Sequence, residues 1–260
     1  MLIDVAERLV NKTFAIIPRP KPTIESVQNA RIIAHRGAHN NAQGIIENTL
    51  QAFEAAKKAG CWGIEFDVRA TADGVLVVNH DLSLQRLWGH NVLISELSFT
   101  QLRALEPGIP TLAEVLAQYA NSLRLFIELK TPFVHGEVLK QELQGLHPQE
   151  HYYLLSLDHR IFQNLNLFPK QSLLLVAGHN NVRQFCELSL EDNYGGVLGN
   201  YVLMRNKFIK KLQNAKQKSG VGFVDSAYSL YRELNRGIEF IFTNQADSVT
   251  LTIQQLLHTL

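Results

Sequence analysis

The chain reads as a single β/α barrel, on three observations. Eight short apolar runs alternate with helical stretches, most of those runs are nearly continuous rather than alternating in polarity, and 260 residues is the size at which such a barrel closes. With 46% hydrophobic residues, a chain this long buries about three quarters of its unfolded surface. A doubly wound open sheet is the competing fold, but it carries a Gly-rich strand-to-helix turn that this sequence lacks.

Taken in order, residues 1–30 form a lead-in: a short helix from Ile3 to Val10, then a connector with Pro18, Pro20 and Pro22. The barrel occupies 31–260, with strands expected at RIIAH, GIEFDV, LFIELK, YYLLSL, SLLLVA, GVLGN, VGFVD and FIFTN. Helices are expected over Thr49 to Ala59, ending at Gly60, over Leu112 to Ala120, and around Val202 to Lys218. One connection breaks the alternation. Thr71-Ala72-Asp73-Gly74 precedes VLVVNHD, and its Asp-Gly pair signals a tight turn, so Ile64 to Ala70 and Val75 to Asp81 are expected to form an antiparallel hairpin. Pairing Ala70 with Val75 would set Glu65 opposite His80 and Asp67 opposite Val78.

Composition removes several function classes. The net charge of +1 carries no nucleic-acid footprint. Cys61 and Cys186 sit in apolar or helical contexts and read as free thiols. The N-terminus lacks the basic start and apolar run of a secretory signal, and no window is long and apolar enough for a membrane span. A cytoplasmic protein without a stable membrane anchor is the expectation.

The chemistry concentrates on strand ends. Glu65 and Asp67, two residues apart, share a strand face, as do Glu128 and Lys130. In a barrel the inward face is dry, and carboxylates sharing it repel by about 3 kcal/mol per pair at ~5 Å and an effective dielectric of about 20. Either raised pKa values or a divalent cation relieves that repulsion, and an all-oxygen donor set suits Mg²⁺, Ca²⁺ or Mn²⁺ better than zinc. We favour the cation over ordinary exposed charge or salt bridging to Lys130 and Arg36. His35 and His80 lie at the carboxyl end of a strand and of the hairpin, where barrel enzymes keep their catalytic groups, although a lone histidine is often only a packing residue.

Together, His35-Arg36-Gly37, Glu47-Asn48-Thr49, Glu65-x-Asp67-Val68, Asp73-Gly74 leading to His80-Asp81, and Ile127-Glu128-Leu129-Lys130 resemble the ordered motif set of the glycerophosphodiester phosphodiesterase family. Ile109-Pro110-Thr111-Leu112, Leu155-Ser156-Leu157-Asp158 and Gly237 to Thr243 extend the resemblance, which runs from about Arg31 to the C-terminus. It implies a TIM barrel of the phospholipase C-like phosphodiesterase type. It also implies one divalent ion on Glu65, Asp67 and Glu128, catalytic His35 and His80, and phosphate contacts from Arg36 and Lys130. The implied reaction converts small glycerophosphodiesters to sn-glycerol 3-phosphate and an alcohol, with His35 as base and His80 as acid. Attack by the glycerol 2-hydroxyl, followed by opening of a cyclic phosphate by water, is the expected course.

Glu47 is expected beside metal or substrate, or as helix-start electrostatics, with Asn48 capping backbone donors. Asp81 either orients His80 or simply ends the hairpin. The segment 82–108, with Trp88, Leu93, Leu97, Phe99 and Leu102, resembles the small insertion the family places over the barrel mouth; it forms a pocket wall or a satellite cluster. Three positions depart from the family pattern: Ile46 for a Pro, Gly222-Phe223-Val224-Asp225 for Trp-Thr-Val-Asn, and Thr243-Asn244 for Thr-Asp. The missing Trp leaves open a lysophospholipase D activity on lysophospholipids. A phosphate-ligand-binding barrel without turnover is the reading from another class, disfavoured because both histidines and all three carboxylates are present.

Overall fold

The computed structural model describes residues 12–259. The expected helix from Ile3 to Val10 lies outside them. Eight parallel strands close into a barrel: β1 (Arg31–His35), β2 (Gly63–Ala70), β4 (Arg124–Leu129), β5 (Tyr152–Ser156), β6 (Leu173–Ala177), β7 (Gly196–Asn200), β8 (Lys218–Gly222) and β9 (Phe240–Thr243). β1 pairs with both β9 and β2, which completes the cylinder. The ninth strand, β3 (Leu76–Val78), is antiparallel to the far end of β2 and takes over its edge where β1 stops.

Continuous apolar runs arise because both faces of each strand are covered. Outward residues such as Ile64, Phe66, Leu125 and Ile127 belong to the large core shared with the surrounding helices. Inward residues form a separate cluster of Ile33, Phe126, Tyr153, Leu174, Leu198 and Phe240 that plugs the barrel. Below it Trp62 stacks on Phe240 at 5.8 Å, with the Arg31 and Arg124 guanidinium groups each 5.5 Å from its ring. The floor is therefore filled, and the cavity that holds His35 and His80 lies towards the carboxyl ends of the strands.

The helices start and stop where their caps dictate. Leu50–Lys58 begins at Thr49, whose Oγ1 accepts from Ala52 N, and Leu112–Tyr119 begins with a reciprocal Thr111–Glu114 capping box. The helix expected around Val202 to Lys218 is shorter, Asn206–Asn214, because Lys216 adopts φ +58° and Lys218 already pairs with Gly196 in β8. Cys61 and Cys186 are buried free thiols.

Two further expectations are corrected. The seventh barrel strand is Lys218–Gly222 rather than Val221 to Asp225, because Phe223 turns to φ +67°, which no strand accommodates. The hairpin register is also shifted by one: Thr71 faces Val75, Val68 faces Val78, and the loop is the three residues Ala72, Asp73 and Gly74. Gly74, at φ +82°, takes the left-handed position that three-residue hairpin loops require. The ladder ends at Val78, so Glu65 and His80 are not a cross-strand pair.

The segment 82–108 folds over β3 as a satellite, with Leu84, Ile94 and Leu102 buried against Val77 and Ile109.

Candidate active site

Strand register gathers the acidic residues. Glu65 lies level with His35 across the β1–β2 pairing, and Asp67 lies level with Glu128 across β2–β4. All three carboxylates are buried, each with one oxygen within 4.8 Å of the others. Lys130 Nζ lies 2.9 Å from Asp67 Oδ1 and pairs with Glu128 Oε1 as well.

Arg36 follows β1 in a left-handed turn, φ +55°, continued by Gly37 at φ +78°. A Cβ on Gly37 would come within 2.8 Å of Ala52, so only glycine lets the turn pack against the helix. The turn aims the Arg36 backbone N–H at Glu65 Oε2 (3.1 Å) and lets the guanidinium reach Glu47 Oε1 (2.8 Å) and Asp67 Oδ2 (3.3 Å).

Asn48 does not cap the helix; Thr49 does. Fully buried at φ +60°, Asn48 instead donates through Nδ2 to Asp67 Oδ2 (2.8 Å) and accepts from Asp67 N–H (3.3 Å). Glu47 bridges two arginines, accepting from Arg36 and from Arg86.

Each histidine has an anchored Nδ1. His35 Nδ1 is 2.8 Å from Asn244 Oδ1, and Asn244 is held in turn by its N–H donating to Asp225 Oδ1 (2.8 Å). His35 Nε2 faces Glu65 Oε2 at 3.8 Å, and the Phe223 ring meets the imidazole edge-on at 5.5 Å. His80 Nδ1 is 2.7 Å from Asp81 Oδ1, and Arg69 secures the His80 backbone by donating to its carbonyl from Nε (2.9 Å) and Nη2 (2.7 Å).

Electrostatics separates these groups. Burial, with Arg36 beside it, pushes His35 down to about 4, and burial also lowers His80. Burial, then Asp67 and Glu128, raises Glu65 well above the usual carboxylate range. Burial and Asp67 raise Glu128. Asp67 goes the other way: burial works against its charge, but Lys130 and Arg36 outweigh it and hold the acid low. Glu65 Oε1 is buried with no hydrogen-bond partner. An orphaned oxygen beside two more carboxylates, in an all-oxygen donor set, fits a hard divalent ion.

These residues line one cavity of about 280 Å³: His35, Arg36, Glu65, His80, Glu128 and Lys130 on the polar side, with Leu155, Val176, Leu198, Phe223 and Phe242 opposite. Phe223 thus reaches the cavity from the left-handed position directly after β8. Among the described residues none from 82–108 lines it, so that segment is a satellite core and not a pocket wall. Its link to the site is Arg86. Sequence reading also passed over Asn244 as a partner of His35, and His179 and Asn200, which line the cavity at the ends of β6 and β7. Only their places directly after or at the close of apolar strands signalled them.

Comparison with known proteins agrees with this geometry. Residues 35–152 match the model of the glycerophosphoryl diester phosphodiesterase family. The bovine (Bos taurus) glycerophosphodiester phosphodiesterase 1 is 34% identical over 47% of this chain and 41% of its own length. The glycerophosphodiester phosphodiesterase of Caldanaerobacter subterraneus is 25% identical over 84% of this chain and 95% of that protein. The matches to the animal and mycobacterial relatives span 33–48% of those proteins' lengths. A crystal structure of a glycerophosphodiester phosphodiesterase from Parabacteroides distasonis superposes with a TM-score of 0.72, at 25% identity, over 89% of this chain and 98% of the other. The family model over 35–152, a relative aligned along 95% of its length and the fold all make this chain similar to the glycerophosphoryl diester phosphodiesterase family.

Proposed function

We propose that this protein hydrolyses small glycerophosphodiesters to sn-glycerol 3-phosphate and an alcohol, using His35 and His80 as base and acid. The observation that carries the reading is the cavity onto which both imidazoles, Glu65 and Glu128 open, with Asp67 clustered against those two acids.

Glu65, Asp67 and Glu128 would hold one divalent ion, Mg²⁺ or Ca²⁺ with Mn²⁺ as a substitute. The chemistry such an ion supplies when bound is charge neutralisation at the phosphate and a lower pKa for a neighbouring hydroxyl. Arg36 and Lys130 add cationic donors for the phosphate oxygens. The Asn244 contact at Nδ1 leaves His35 Nε2 with a lone pair to take the proton of the glycerol 2-hydroxyl as its oxygen attacks phosphorus. Asp81, at His80 Nδ1, favours an imidazolium whose Nε2 proton passes to the departing alkoxide as the P–O bond breaks. Water then opens the cyclic phosphodiester with the roles reversed. Asn48 and Glu47 hold Asp67 and Arg36 in place.

The apolar wall of Leu155, Val176, Leu198, Phe223 and Phe242, with half-exposed Leu157 at its edge, favours a second reading: a lysophospholipid in the same cavity. No helix among the described residues is long and apolar enough to cross a membrane. Placement in the cytoplasm belongs to the proposal and draws support from the two buried thiols.

The deciding experiment measures turnover of glycerophosphocholine, glycerophosphoethanolamine, glycerophosphoglycerol and a lysophospholipid, each with and without chelator. The expected result is chelator-sensitive release of sn-glycerol 3-phosphate from the first three. No release from any of them overturns the reading, and preference for the lysophospholipid selects the second one.

A further inference from the structure

Arg86 lies outside the cavity lining, yet it joins two of the arms that reach it. It sits on the short helix Gln85–Trp88 of the satellite segment. Its Nη2 and Nη1 donate to Glu47 Oε1 (2.6 Å) and Oε2 (3.3 Å), while Nε donates to Asp81 Oδ2 (2.5 Å). The helix is held rigidly, with Leu84 fully buried before it and Trp88 Nε1 donating to Asn79 Oδ1 at 3.2 Å.

We infer that Arg86 is a positioning residue for the proton donor, clamping Asp81 so that its other oxygen fixes the His80 ring. The inference rests on the function proposed above. Asp81 Oδ1 takes His80 Nδ1 while Oδ2 takes Arg86, so the carboxylate is oriented from both ends. Glu47 supplies the fixed point: its Oε1 is also tied to Arg36, which has its own contacts to Asp67 and Glu65. Losing Arg86 therefore leaves the Arg36 arm anchored and frees the Asp81 arm. A planar guanidinium places two donors on Glu47 and a third, Nε, on Asp81, a fixed fork that the single nitrogen of an ammonium does not reproduce. The satellite segment thereby acts on the reaction without touching the substrate.

A residue that merely staples 82–108 to the barrel would affect all substrates alike. One that acts through a proton donor matters to P–O cleavage only when the leaving oxygen needs a proton, so the readout is release of the alcohol in the first turnover, before His80 takes a proton from water. Rates are therefore compared on glycerophosphocholine and on the p-nitrophenyl ester of glycerol 3-phosphate, whose phenolate departs unprotonated. Arg86→Ala is expected to slow first-turnover release of the alcohol about tenfold or more on the first and about threefold or less on the second, with Arg86→Lys intermediate. Asp81→Asn, which serves should R86A not fold, is expected to show the same pattern, and the double variant to be no worse than either single one. Equal losses on both substrates, no loss on either, or additive losses in the double variant overturn the inference while leaving the proposed function standing. A wild-type chain inert on both substrates overturns the proposed function and the inference with it.

Discussion

Asn48 holds Asp67 at both ends of one residue, donating from Nδ2 to the carboxylate at 2.8 Å and accepting the backbone N–H at 3.3 Å. The pair couples the loop before the first barrel helix to the second strand, and it orients an acid that also faces Lys130 and Arg36. Because Asn48 is buried, its removal takes a partner from both a carboxylate oxygen and the backbone N–H of Asp67.

Asn48→Ala is accordingly expected to cost about 1–3 kcal/mol of stability, the range for an unsatisfied buried partner, with added strain at a left-handed position. Affinity for a divalent ion is expected to fall roughly 10-fold or more, as when a group that orients a metal ligand is lost. Chemical denaturation and calorimetric titration measure the two effects; unchanged ion affinity would separate Asn48 from the site.

His35→Ala and His80→Ala are each expected to reduce kcat on glycerophosphocholine by roughly 10²-fold or more, the usual contribution of general acid–base groups. Steady-state kinetics decides it. Near-normal turnover in both variants removes the acid–base assignment.

Glu65 ionises unwillingly, since burial and two neighbouring carboxylates raise its pKa. A folded pKa above the unfolded one means the folded state holds the extra proton, so its stabilising contribution is present below about pH 4.5 and is lost as pH climbs through the folded value. In chelator, Glu65→Gln is expected to flatten this decline and be the more stable chain near neutrality. Added Mg²⁺ or Ca²⁺ should stabilise wild type by about 2.7 kcal/mol at one hundred times Kd and leave the variant little changed. Thermal unfolding with and without ion tests both statements, and an equal ion response in the two chains contradicts them.

His35 has the opposite sign. Its folded pKa of about 4 lies below the unfolded 6.5, so the unfolded chain binds more protons between those values. The stability it contributes is complete above about pH 6.5 and is lost as pH falls to about 4, a swing on the order of 3 kcal/mol. The signature is the difference between wild type and His35→Gln in urea unfolding at pH 4, 5, 6 and 7, which isolates His35 from the opposing trend of Glu65. A difference that stays constant across that range refutes the shift.

Much is legible in the amino-acid sequence. Two carboxylates two residues apart on an apolar run must share a face, and runs covered on both sides imply parallel strands wrapped by helices. From those local rules follow the barrel, the inward placement of Glu65, Asp67 and Glu128, and the carboxyl-end location of His35. Where sequence reading erred, the cause was backbone conformation. Phe223 reaches the cavity because its left-handed φ ends β8 early, and the hairpin register depends on whether its loop holds three residues or four. Asn48 reads as a cap by composition, but its left-handed backbone turns it onto Asp67 and leaves Thr49 to cap the helix.

The one-dimensional pattern thus determined which residues lie on which strand and which face, because side-chain alternation is a local property of the extended backbone. Tertiary structure alone decided who meets whom: Arg86 with Asp81 and Glu47, Asn244 with His35, Asp67 level with Glu128. Those meetings are set by register between strands and by turns at positive φ, where long-range packing outweighs the preferences of the individual residue.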